Sequence, residues 1–271
     1  MVAIRGFWRN GINLITKRLE KGSMCCFSRP IESVYNTKIF ARGLTGAPQQ
    51  LAYSMGLRTP YDVAMILPIP VKQGSGENAV RFINLKKYPE FFTDLEKGFP
   101  LPAAPRGLRL RGQTLSETRK LAVVKVGNFE ASFVPTAKDF SRLDERFRLP
   151  MDTWDKMPRY RNYGFVVFKF KKGAQKVHPM AFEFPRQHEQ RIFFPTVHIH
   201  DGTIEEEAGF DHVLYCQLPE DDVMMLRGWR ESTQPAGMFM SKRKSQGLID
   251  PEAHCHRSAL TGKHPNTDLW I

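Results

Sequence analysis

The chain has 271 residues, 41% hydrophobic and 25% charged, with 20 phenylalanines and a net charge of +12. That composition excludes a disordered chain and supplies a sizeable, aromatic-rich core for one large domain or two small ones. No apolar run is long enough to span a membrane, and the four cysteines, two of them adjacent, do not form a secreted disulfide framework, so the sequence reads as a soluble, cytoplasmic protein.

Residues 1–23 hold Arg5, Arg9, Lys17, Arg18 and Lys21 against Glu20 alone, which is +4 of the +12. Ile4, Phe7, Trp8, Ile12, Ile15 and Leu19 recur among them at near-helical spacing. The apolar stretch is too broken for a secretory signal. Residues 1–21 therefore read as an interfacial amphipathic helix with weak affinity for anionic lipid, as a helix docked on the domain, or as an appendage to a product starting at Met24 or Cys25. The last is favoured, because the pattern of a folded domain opens there.

A globular α+β domain over 24–230 follows, with mostly antiparallel sheet and about three helices. Strands are expected at 38–42, at 49–57 where Leu51, Tyr53, Met55 and Leu57 alternate, at 63–69 and at 79–85. A helix is expected next, with Pro89 in its first turn; Phe91, Phe92, Leu95 and Phe99 form an apolar stripe, and Gly98 can end it. Residues 100–118 are rich in Pro, Gly and Arg and read as an exposed loop of the length of a lid. Strands resume at 121–126 and 128–134, and Phe140, Leu143 and Phe147 mark a helix over 137–147. Further strands are expected at 163–170, 180–184, 192–200 and 211–217. A last helix starts near Pro219 with Glu220, Asp221 and Asp222 in its first turn. The polar stretch 231–271 reads as a tail that wraps the surface or frays.

Several short motifs occur in a distinctive order: a cysteine-bearing start, Pro30-Ile31-Glu32, Lys38-Ile39-Phe40-Ala41-Arg42, Leu67-Pro68-Ile69-Pro70, Val126-Gly127-Asn128-Phe129-Glu130, Tyr160 before Gly164-Phe165-Val166-Val167-Phe168-Lys169, and Pro179 before Phe182-Glu183-Phe184. Over about residues 25–200 this order resembles an uncharacterised bacterial family, a domain of unknown function. Its members usually open with Cys-Gly-Gly-Phe-Phe-Cys after a secretion signal. Here Cys25-Cys26-Phe27-Ser28 stands in place of that opening. The resemblance implies a fold and no activity.

Three sets of residues could carry chemistry. On a strand, His198 and His200 would face one side and could reach one ion, with Asp201 beside them. The spacing to Glu205 resembles the first metal motif of the cupin barrels, without its flanking glycines. His212 and Cys216, four apart, could complete the set, and His254-Cys255-His256 form a second cluster. A divalent transition metal such as zinc suits these donors. The plain alternative is a half-exposed strand with Val197 and Ile199 inward and the histidines in water.

If Met24 is the start and is removed, Cys25 gains a free α-amino group and could act as the nucleophile of a thiol amidohydrolase. Arg42 would then hold a substrate carboxylate. That arrangement resembles the bile-salt and penicillin-acylase-like branch of the N-terminal nucleophile hydrolases. Basic residues gather at Arg106, Arg109 and Arg111, at Lys169, Lys171, Lys172 and Lys176, and at Lys242, Arg243 and Lys244. None of these is a recognition module, so the charge speaks to non-specific attraction and not to a specific nucleic-acid partner. The leading reading is a binding domain that holds a metal through the His-x-His segment. The alternatives are a metal-dependent enzyme at His198 and His200, the Cys25 amidohydrolase, and a peripheral membrane-surface protein anchored by residues 1–21.

Overall fold

The computed structural model describes residues 26–44, 46, 48–100, 124–126, 129–199, 204–219 and 224–271. In chain order the strands are β1 (Cys26–Phe27), β2 (Ser33–Gly43), β3 (Pro48–Thr59), β4 (Val63–Ile69), β5 (Arg81–Asn84), β6 (Val124–Val126), β7 (Phe129–Val134) and β8 (Gly164–Phe170). They continue as β9 (Gly173–Lys176), β10 (Met180–Pro185), β11 (Phe193–Phe194), β12 (Glu207–Gln217), β13 (Arg230–Glu231), β14 (His256–Pro265) and β15 (Leu269–Trp270). Among the described residues two short α-helices, α1 (Phe91–Lys97) and α2 (Lys242–Ser245), and several 3-10 turns complete the α+β fold.

A five-stranded antiparallel sheet runs β1-β4-β8-β7-β6. An eight-stranded sheet runs β13-β14-β12-β2-β3-β10-β5, with β9 also on β3. Its β2–β12 ladder is the one parallel strand pair among the described strands; the others are antiparallel. The two sheets meet across one core, where Ile39, Leu51, Tyr53 and Phe182 of the larger sheet join Met65, Leu67, Val166 and Phe168 of the smaller.

Both outer faces are covered as well. Phe91, Phe92 and Leu95 of α1, with Leu248 and Ile249, lie over Phe40, Ala52 and Tyr215 on the larger sheet. Phe140, Leu143, Trp154, Met157 and Tyr160 lie over Ala64, Ile66, Phe165 and Val167 on the smaller. This explains why Val63–Ile69 and Gly164–Phe170 are buried at every position: a strand with apolar layers on both sides gains nothing from alternation.

Three expectations need correction. The helix over 137–147 is two separate 3-10 turns, Ala137–Arg142 and Glu145–Phe147. Asp139 accepts from the backbone and hydroxyl of Thr136, and Asp144 from the backbone of Arg146. Leu143 between them is extended. Local side-chain bonds of this kind compete with a continuous helix.

The strand over 192–200 is only two residues long. Pro195 brings no N–H to a ladder, and the backbone of 196–198 turns instead to side chains of the C-terminal segment.

The third correction concerns 231–271. It contains β14, a ten-residue strand paired along β12, and α2 with its buried neighbours Leu248 and Ile249. The leader, residues 101–118 of the expected loop and the acidic first turn after Pro219 lie outside the described residues. No described helix is long and apolar enough to cross a membrane.

Candidate functional site: a buried histidine pair

β12 is the strand that positions the site. Its second half is flanked on both sides, pairing with β14 and, from Val213 onward, with β2. Just before that point β2 bulges between Tyr35 and Lys38, and Asn36 takes a left-handed conformation at φ 55°. The Asn36 N–H donates to the Asp211 carboxylate at 2.8 Å.

His212 is the next residue, and its ring is fully buried. Phe210 lies two residues back on the same face of the strand. The second imidazole, His198, arrives from the irregular segment after β11. It lies 4.4 Å from Phe210 and 5.4 Å from His212, centroid to centroid, with the two imidazoles inclined by 29°. His264 of β14 flanks Phe210 at 6.0 Å.

The segment carrying His198 is fixed by two side chains of the C-terminal run. The Asn266 amide oxygen accepts the His198 N–H at 2.7 Å, and its NH2 donates to the carbonyls of His198 and Glu205. Asp268 accepts from the N–H groups of Thr196 and Val197 at 2.9 and 3.0 Å and from the Tyr160 hydroxyl at 2.6 Å. Burial pushes the Asp268 carboxyl up to about 6, against the pull of these donors.

Val197 and Ile199 are buried, as expected, but so is His198, at 1% exposure. The half-exposed strand is therefore not what forms at His198, because the segment after β11 is irregular and its backbone is held by Asp268 and Asn266.

Neither ring nitrogen of His212 has a hydrogen-bond partner among the described residues. Its Nδ1 lies 3.8 Å from the Asp211 carboxylate, beyond hydrogen-bond reach. Burial pulls the His212 pKa down to about 4, so the ring is neutral at physiological pH and offers a lone pair to a metal rather than a proton to a substrate. The same burial raises the Asp211 carboxyl.

Of the other expected ligands, Cys216 lies away from the pair. It is four residues further along β12, about 13 Å on at strand spacing, with its thiol raised well above the ordinary range by burial. His200 and Asp201 lie outside the described residues. Among the described residues, no three His, Cys, Asp or Glu side chains converge as a metal set.

The thiol reading meets a different environment. Cys25 lies outside the described residues; its neighbour Cys26 is buried, with its thiol directed to the Val197 carbonyl. Arg42 is on the other sheet, beside an open hollow lined by Gly43, Gln217, Asp250 and Glu252. Its guanidinium donates to Asp250 and to the Gly247 carbonyl, both at 3.3 Å. Burial lowers its pKa, with Asp250 opposing. A residue of the chain thus already occupies the carboxylate position expected for a substrate.

No family model matches the sequence. Among solved structures the chain is similar to baculovirus p35, with TM-score 0.46 and 12% identity over 88% of this chain and 96% of that one. A mutated baculovirus p35 after caspase cleavage gives TM-score 0.42 and 11% identity over 87% and 98% of the two chains. The caspase-8/p35 complex gives 0.39 and 10% over 88% and 90%.

The sequence reading missed Asn266 and Asp268.

Proposed function

We propose that the chain is a metal-binding β-sheet domain in which His198 and His212 hold a divalent transition metal such as zinc. The observation that carries this reading is the His212 ring: fully buried, neutral, without a hydrogen bond among the described residues, and 5.4 Å from a second imidazole. Leaving a buried polar atom unbonded costs about 1–3 kcal/mol, and a coordinated ion would remove that cost. Two imidazoles on one tetrahedral ion, with bonds of about 2.0–2.1 Å, have centroids roughly 5 Å apart, close to the spacing seen. The pair supplies half of a tetrahedral shell. His200 and Asp201 follow His198 in sequence and are the donors to test for the remainder.

Elemental analysis of protein purified without a His tag checks this reading. Near-stoichiometric zinc is expected in the parent, falling by at least tenfold in His198→Ala and in His212→Ala. His200→Ala should lower it if the third donor is supplied there. A metal-free parent that His212→Leu makes more stable would instead mean that the pair is a purely structural stack.

A further inference from the structure

We infer that the paired turns around Lys86 and Lys242 form a docking surface for an anionic bilayer. The 3-10 turn Leu85–Lys87 and the helix α2 are far apart in sequence but touch in the fold. Buried Tyr88 joins them: its hydroxyl accepts the Ser241 N–H at 2.9 Å, and its ring lies 5.6 Å beneath the Lys244 ammonium. Gln246 closes the junction by donating to the Asn84 carbonyl. Lys86, Lys87, Lys242, Arg243 and Lys244 are all exposed on these two turns.

Residues 84–88 and 241–247 contain those five cations and no acid. Lys86, Lys87, Lys242 and Arg243 form no ion pair among the described residues. Some other surface cations do: Lys38 pairs with Glu96, Arg142 with Glu77 and Lys263 with Glu207. The Tyr88 hydroxyl also donates to the Asp94 carboxylate at 2.9 Å, and Asp94 is itself paired with Lys97; the five cations remain in excess over acids at this junction, and such a set attracts counter-charge from outside.

Met238, three residues before Ser241, is 69% exposed and points to the class of partner. An exposed thioether in the turn that leads into α2 fits a bilayer surface, where the apolar group enters the headgroup boundary and the cations meet anionic lipid. Single-stranded nucleic acid would call for exposed rings on which bases stack. Tyr88 is buried here, and the exposed Tyr35 and Tyr61 belong to β2 and to the turn after β3.

The test is co-sedimentation of the full chain with phosphatidylcholine vesicles, with and without phosphatidylserine, at low and physiological salt. Binding is expected only with phosphatidylserine, weakening as salt rises. The exposed quadruple variant Lys86→Ala/Lys87→Ala/Lys242→Ala/Arg243→Ala should bind at least tenfold more weakly while melting as the parent does. Met238→Asp should bind severalfold more weakly. A second variant with Arg5, Arg9, Lys17, Arg18 and Lys21 changed to Ala separates this surface from the leader: the effect of the quadruple substitution should persist in that background. Unchanged binding by the quadruple variant would overturn the inference. So would equal binding to neutral vesicles, or binding to a single-stranded oligonucleotide and not to anionic vesicles.

Discussion

Replacing Asp268 by Ala is expected to destabilise the fold by at least 3 kcal/mol, roughly, at about pH 4.5, whereas Asp268→Asn should stay within about 1 kcal/mol of the parent there. The carboxyl serves three donors at once: the N–H groups of Thr196 and Val197 and the Tyr160 hydroxyl. Alanine would leave all three without their acceptor in a buried place. Asparagine keeps an oxygen for the two backbone donors and turns an NH2 to the Tyr160 oxygen, which can accept.

The same pair of proteins should diverge with pH. The Asp268 carboxyl is raised to about 6 by burial, above its unfolded value of about 3.9. Between those values the folded state holds the proton more often than the unfolded state, so this group's contribution to stability falls as pH rises through the window. The full effect is about 3 kcal/mol in favour of Asp268→Asn at about pH 7.5. Other groups slope the opposite way: His212 is pulled down, and Glu183 is held low by Arg81 and Gln50 against its own burial. The difference between parent and Asp268→Asn, from urea unfolding followed by tryptophan fluorescence across pH, isolates Asp268. A pH-independent difference would show that the carboxyl is not raised.

The elements most legible in the sequence are those whose neighbours are apolar on both sides. The apolar runs of 63–69 and 163–170 match Val63–Ile69 to the residue and Gly164–Phe170 to within one, because a run so nearly continuous in apolar residues suits a strand covered on both faces. The histidine pair was legible only in part. His198 and His212 were both singled out, but the expected partner of His198 was its neighbour two residues on, by strand periodicity. Pro195 ends the strand, and it is a contact across the fold that brings His212 to His198. Asn266 and Asp268 were not legible as site residues, since their roles depend on backbone groups about seventy positions earlier in the chain. The basic turns show the same limit. Lys242–Lys244 stands out as a run, but its junction with Lys86 and Lys87 exists only once Tyr88 is buried between them.

Phe168→Ala should be the costliest truncation in the core, at about 3–5 kcal/mol. Phe168 is fully buried on β8 at the junction of the two sheets. Its ring meets Phe129 of its own sheet at 5.4 Å and, from the larger sheet, Phe182 at 6.0 Å and Phe82 at 6.1 Å. Alanine removes the ring and its edge-to-face contacts, each worth roughly 0.5–1.5 kcal/mol beyond area burial. It also leaves a cavity between two sheets whose hydrogen-bonded ladders resist collapse. Phe168→Leu should recover more than half of the loss by refilling most of that volume. Phe147→Ala is the control. That ring lies on a 3-10 turn of the outer layer, 8% exposed, with Lys169 and Arg146 against its faces. A short turn can settle into the space left behind, so its loss should cost less, about 1–2 kcal/mol, inside the usual span for a single substitution. Urea midpoints of the three variants, with unchanged slopes, give the comparison. Equal losses for Phe168→Ala and Phe147→Ala would mean that the contact between the sheets is no more important to stability than the layer that covers them.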